Sequence, residues 1–594
     1  MHLSALSLAL NRPGAVGLTL KQAVAALFAS GEQGAWYDPS DRSTLFQDSA
    51  GTLPVTEVEQ PVGLMLDRRK GLALGSELIT NAADREFSSD TGYWSLGAQG
   101  SISGGTFNVT AGSGTQISKT IAGMGLTQGK WYKVTYTITS LTSGSFRWQF
   151  SSAVTTRTAA GTYTEYWLPD GTTLQGFCGT NTTLSLDNIS VKLLDGNHAY
   201  QTGSAARPVL RARYNLLTYS EQISSATWSL SALQAITPNT AVAPDGTTTA
   251  EAIISTTAAT QHHVSTPSAV TGVGTYTLSI YAKANGYNYV QLLWGSGNDY
   301  ANFLLTGAGS VSQNSGGSPA IVSVGNGWYR CSITSTLSVA SAVYFMPMIT
   351  GTESRFASTT GDGTSGIYIW GAQLNLGSTA MSYQRIAATP TLSQPPTYAT
   401  TSTMGGEVFR PYLLFDGGDD TMFTSALDLS ASDKLTLCVG ITKRQDANAG
   451  TVCETSANYN SNTGCFTFYA PASSTLRYYA GINGGASNAG GVTVEYAGES
   501  TNVVTSLLDI GQAAYTDEIK MRVDGAQKAL TYSNTNTGTG NFANNQPMYI
   551  GRRPGTTAYF NGYIYGIVLR GGVTPLSSVQ AVETYLAGKT GVTL

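Results

Sequence analysis

Charge is scarce in this 594-residue chain: Asp, Glu, Lys and Arg make up 11% of it, against about 25% in an average globular protein. With a formal net charge of −4, there is no basic field to hold a nucleic-acid backbone. Solubility then rests on Ser, Thr, Asn, Gln, Gly and Tyr. Cysteine is thin as well. Cys178, Cys331, Cys438, Cys453 and Cys465 are odd in number and lack C-x-x-C spacing, which argues against thiolate metal ligation and a disulfide framework. Three of them share one C-terminal region, where a single bridge among Cys438, Cys453 and Cys465 stays open. No apolar run approaches the roughly 18 residues of a membrane helix, so no membrane insertion is expected. The opening MHLSALSLALNRPG carries no positive charge ahead of its apolar run, which breaks at Arg12-Pro13, so it does not read as a signal peptide. The expectation is a soluble chain made in the cytoplasm. Its 68 glycines are dispersed rather than periodic, which excludes a collagen-like fibre.

Catalytic patterns are missing too. No G-x-S-x-G elbow, H-E-x-x-H or Walker loop occurs. His262 and His263 are adjacent, and on a strand they would point to opposite faces, a poor metal pair. Glycoside cleavage needs two carboxylates about 5–10 Å apart. Glu495 and Glu499 would stand roughly 13 Å apart on a strand, and only a turn would bring them closer. The chain reads as a non-enzyme.

What is present is short β-runs behind an unusual front. Residues 19–29, TLKQAVAALFA, predict a helix with Thr19 and Gln22 as a capping box and Leu20, Val24, Leu27 and Phe28 on one face. That face serves either docking or packing on the adjoining segment. Gly34 to Gly71 then reads as a compact plug. Trp36, Tyr37, Leu45, Phe46, Leu64 and Leu66 supply its bulk, and Asp38-Pro39-Ser40-Asp41 its turn. From Ser76, strands such as Trp131–Ile138 and Phe146–Phe150 alternate strictly, and Leu184–Leu193 closes the series. A second copy of this grammar runs through NLLTYSEQ (Asn215–Gln222), the strand Tyr276–Lys283, GWYRCSI and IWGAQLNLGS. A Pro- and Thr-rich linker, Thr389 to Thr403, precedes FDGGDD (Phe415–Asp420), Leu435–Ile441, a VDG turn, YIG and FNGYIYGIVL. The last element is a helix with Ser577 as cap and Gln580 three residues on.

The WYDPSD plug resembles a module near the front of many tailed-bacteriophage structural proteins, and the NLLTYSEQ…IWGAQLNLGS pattern resembles domains repeated in phage head-spike and tail-fibre proteins. The first β-region is similar to jelly-roll carbohydrate-binding modules, and the FDGGDD…FNGYIYGIVL region to concanavalin A-like (laminin-G-like) lectins. These resemblances imply a mainly β protein. A short N-terminal helix and attachment segment (1–75) would precede three antiparallel β-sandwiches in series: jelly-roll domains at 76–203 and 204–388, a linker at 389–404, and a concanavalin A-like domain at 405–594. They imply a virion-surface head spike or fibre, with a tail fibre as the alternative and a polysaccharide depolymerase less favoured. Such a protein would be a homotrimer, attached to capsid or tail proteins through Trp36, Tyr37, Asp38, Pro39, Leu45, Phe46, Leu64 and Leu66, and adhering to host-surface glycans.

Two aromatic sets have the makings of a sugar site, which needs an apolar wall and a few polar groups. One is Tyr287, Tyr289, Trp294, Asp299 and Tyr300, with Tyr287 and Tyr289 alternating onto one face. The other is Tyr478, Tyr479 and Asn483. With 32 tyrosines in the chain, ordinary sandwich packing accounts for most such stripes. No cofactor is required. Asp416, Asp419 and Asp420 offer oxygen ligands for Ca²⁺, as related lectin folds do, although a tight Asp-Gly turn is the preferred reading.

Overall fold

The computed structural model describes residues 19–386 and 410–594, apart from short stretches at 57–58, 213–214, 272–273, 445–447, 456–461, 473–476, 485–487 and 497–499 and a few single positions. The linker at 389–404 and Glu499 lie outside the described residues. The chain is mainly β and antiparallel, as its alternating runs predict. It divides into two compact units. The first joins 1–211 to 411–497 and 501–594; the second is essentially 212–410.

The first unit is built around a sandwich drawn from both ends of the chain. One sheet has nine strands and the other ten. In the nine-stranded sheet, Gly34–Tyr37 pairs with Asn561–Gly571, placing Trp36 opposite Val568. Gly34 is required there. Its φ is +142°, and a Cβ would lie 2.0 Å from the Leu569 carbonyl oxygen. In the ten-stranded sheet, Leu45–Phe46 pairs with Leu64–Met65, which pairs with Ala199–Tyr200, which pairs with Met422–Ala426. Tyr478, in the ten-stranded sheet, donates to Asn502 in the other at 2.6 Å.

The plug is therefore part of the C-terminal sandwich, and the boundaries 1–75 and 405–594 are not those of the structure. All eight proposed attachment residues are buried: Trp36, Tyr37, Asp38, Pro39, Leu45, Phe46, Leu64 and Leu66. Strand-forming residues with no sheet partner nearby in sequence found one more than five hundred residues away.

The helix forms as Leu20–Ala26 with the Thr19–Gln22 capping box in place. Its apolar face does not rest on the plug alone. Val24, Leu27 and Phe28 share a core with Trp36 and with Val582, Tyr585 and Leu586 of the C-terminal helix, Leu576–Thr590. That helix starts after Pro575 without a side-chain cap, so Ser577 lies inside its first turn instead of capping it. Asp38, 1% exposed, fastens the two ends together: its carboxylate accepts from Tyr585 Oη at 2.6 Å and Lys589 Nζ at 3.2 Å, and from Ser40.

Two domains interrupt this sandwich, each where a hairpin turn would be. The first leaves after Leu64–Met65 and returns at Ala199–Tyr200, paired with it. Its eight-stranded antiparallel sheet wraps a core rich in tryptophan, with Trp94, Trp148 and Trp167 buried. Its neck is held by Asp67, fully buried, which accepts from the backbone N–H groups of Trp36, Arg69 and Asn197. His198 Nδ1 in turn accepts from Asp67 N at 2.8 Å.

The second unit leaves at Arg211 and returns at Tyr412, residues that face each other across an antiparallel pair. It is a six-stranded and a five-stranded sheet around one large core. In both inserted domains the strand expected to be equivalent, Tyr132–Ser143 or Gly274–Asn285, pairs with the closing strand. The NLLTYSEQ motif has a structural reason. Asn215, fully buried, donates to the carbonyls of Ala372 and Gln384 and accepts from Leu374 N, stitching the domain's entrance to its exit.

Candidate functional site

The predicted aromatic sets are core residues. Trp294 is fully buried and donates to Ser335 Oγ across the sandwich at 2.9 Å. Tyr287 joins the same core. It precedes the strand Tyr289–Trp294, and Tyr289 packs on a different cluster with Leu293, Tyr300, Met346 and Met348, so the two tyrosines do not share a face. Tyr300 accepts from Gln313, and Asp299 is half-buried.

A loop closes this side of the sheet. Gln291 and Asn302, both fully buried, hydrogen-bond each other at 2.7 Å and bind the backbone of Gly351, Glu353, Ser354 and Phe356. The polar groups that would have met a sugar are consumed by the protein's own chain. Tyr478 and Asn483 are likewise buried, and Tyr479 stacks on Tyr469 with centroids 5.6 Å apart. Glu495 ends a strand of the ten-stranded sheet.

The acidic run fulfils its turn reading: Asp416 Oδ1 accepts from Gly418 N and Asp420 Oδ2 from Asp416 N. Oxygens of Asp416, Asp419 and Asp420 come within 4.8 Å of one another, which is three ligands of the six to eight oxygens that Ca²⁺ takes. Burial, and then the neighbouring carboxylates, push Asp420 up to about 7. All five cysteines are free and buried, so the bridge left open does not form. Burial drives the Cys178 thiol up to about 12, which leaves it unreactive.

What the structure does assemble is a pocket that no local motif announced. A cavity of about 300 Å³ opens in the first unit between the first inserted domain and the composite sandwich. Its walls are Trp131, Phe150 and Tyr166 from the insert, with Tyr200 and Phe423 from the ten-stranded sheet. Trp131 meets Tyr200 edge-on at 5.4 Å, and Tyr200 lies 4.5 Å from Phe423, so three rings form one continuous wall.

The plug supplies another side through Ser49 and Ala50. Ala50 accepts from Tyr166 N at 2.7 Å. Gly51, at φ +64°, lies beneath the Tyr166 ring, where a Cβ would come within 2.2 Å of it. Ser152, Asp170 and Thr202 give a polar rim, all exposed. Asp170 is held in place by the backbone N–H groups of Ser151 and Ser152. The Trp131 indole N–H is buried without a partner among the described residues. Burial raises the Tyr166 and Tyr200 phenols, so both stay protonated donors at neutral pH.

Rings that cover C–H surfaces, next to two phenol hydroxyls and one carboxylate, form the kind of surface a sugar ring requires. Among the described residues one carboxylate lines it, against the two that glycoside cleavage uses. The lining residues come from six separated segments, and only strand alternation marked any of them beforehand.

No family model and no curated protein matches this chain. Among solved structures, parts of it are similar to the CBM40 module of a Ruminococcus gnavus IT-sialidase bound to alpha2,3 sialyllactose, at 14% identity and TM-score 0.20 over 25% of this chain and 82% of that one. The receptor-binding domain of botulinum neurotoxin type G is similar at 10% identity and TM-score 0.22, over 30% and 42%. A SAP-like pentraxin from Limulus polyphemus is similar at 15% identity and TM-score 0.20, over 26% and 70%. All three are likenesses of a part of the chain.

Proposed function

We propose that this chain is a non-enzymatic, glycan-adhesive appendage on the surface of a tailed-phage particle, made in the host cytoplasm and assembled as a homotrimer. The observation that carries the adhesive part is the pocket of Trp131, Tyr166, Tyr200 and Phe423 with its rim of Ser152 and Asp170. The particle address rests on the motif resemblance of the plug and the second inserted domain. A head spike or fibre is favoured over a tail fibre because the plug and the NLLTYSEQ pattern occur together.

Attachment through the plug's apolar residues is not part of this reading, because they are spent inside the sandwich. Two experiments test it. Full-length protein is applied to a glycan array and should retain a defined subset of glycans. Immunogold microscopy of purified particles, with antibody raised against the full chain, should label capsids. Label confined to tails would make it a tail fibre, and unlabelled particles would end the virion reading.

A further inference from the structure

We infer that the pocket selects uncharged sugars, neutral hexoses or N-acetylated hexosamines, and rejects sialic and uronic acids. The inference rests on the adhesive reading above and concerns the same site. Thirteen described residues line the cavity, and none of them is Lys, Arg or His. The one ionised group is Asp170. An anionic sugar entering here would give up water for its carboxylate and meet no cation, with a like charge at the rim. Burying an unpaired charge in that way is strongly unfavourable.

A neutral ring meets the opposite situation. Its C–H face covers Tyr166, Tyr200 and Phe423, the half-buried rings of the wall. Its hydroxyls find the Tyr166 and Tyr200 hydroxyls as donors, and Asp170 as acceptor. An N-acetyl methyl group has the Phe150 and Val154 side of the cavity to fill. The volume, about 300 Å³, is at the small end of the 300–1,000 Å³ typical of ligand pockets, which suits one or two terminal rings rather than a long chain. At long range the field also disfavours polyanions, because the protein carries −4 overall.

The test uses full-length protein and paired oligosaccharides identical except for a terminal sialic or uronic acid, at low and high salt. Neutral members should bind at least about tenfold more tightly than their acidic partners, with little salt dependence. Ser152→Trp, a rim change that blocks the mouth without touching a core, should abolish binding. Tyr166→Phe should weaken it while leaving the melting profile unchanged. Asp170→Lys should recover acidic members.

If acidic members bind as well or better and Ser152→Trp still abolishes binding, the pocket is the site but the selectivity is wrong. If Ser152→Trp leaves binding intact, or no glycan binds at all, the pocket reading itself fails and the inference falls with it.

Discussion

The two inserted domains share one strand grammar and treat their aromatic and polar groups in opposite ways. In the second, Gln291 and Asn302 spend every donor on the 350–357 loop and on each other, and Trp294 and Tyr287 fill the core. In the first, Trp131 and Tyr166 stand at the domain's edge, and the wall opposite them comes from Tyr200 and Phe423 of the host sandwich. In the second, the chain's own loop covers the sheet face and closes it. A domain that borrows a neighbour's surface leaves a pocket at the seam. Aromatic count does not distinguish these cases.

The largest effect should come from breaking the composite sandwich, and separating the two units should do far less. Excising 212–411 and joining Arg211 to Tyr412 through an Asn-Gly turn should leave the first unit folded, because Arg211 and Tyr412 already face each other as a hairpin would. Glycan binding should survive. Deleting 34–71 should instead remove strands from both sheets of the composite sandwich and abolish its cooperative melting. A folded 405–594 fragment would contradict this pairing.

Within the first insert, Glu165 is fully buried and accepts from Tyr136 Oη, the Arg157 guanidinium and Trp167 Nε1. Glu165→Ala strands a nearly buried guanidinium and should cost about 3–5 kcal/mol, read as a lowered melting transition that is also present in the excised protein. In the second insert, Gln291→Ala should cost about 1–3 kcal/mol for the groups left unpaired. Faster amide exchange confined to 350–357 would confirm that Gln291 pins that loop, and unchanged exchange would refute it.

The smallest effect is a pair of opposed pH dependences in the first unit. Burial holds His198 down to about 4, so the unfolded chain binds its proton first and stability falls as pH drops from 6.5 toward 4. Asp420, pushed up to about 7, does the reverse: the folded state keeps its proton longer, and stability falls as pH rises from 4 toward 7. In the wild type the two offset each other between pH 4 and 6.5. Asp420→Asn should expose a loss of stability toward acid, and His198→Gln a loss toward neutral pH, as read by melting temperature across pH 4–7.

The strands were legible because their period is local. Tyr132–Ser143 alternates buried and half-buried residues within its first turns of pleat, whereas Gly274–Asn285 is buried on both faces and only its sequence alternates. The Thr19–Gln22 cap was legible for the same reason. The plug was legible as buried mass, and its partner was not. Trp36 opposite Val568 and Asp38 bonded to Tyr585 are contacts across the whole chain, and nothing in either segment encodes the other. So the sequence by itself determined the β class, the repeated strand grammar and the absence of a catalytic pattern. Tertiary structure alone decided that the first and last segments make one sandwich, which aromatic residues are sealed, and where a pocket opens. The reason is physical: side-chain alternation is set by neighbouring residues, whereas burial is set by whatever surface the folded chain brings opposite.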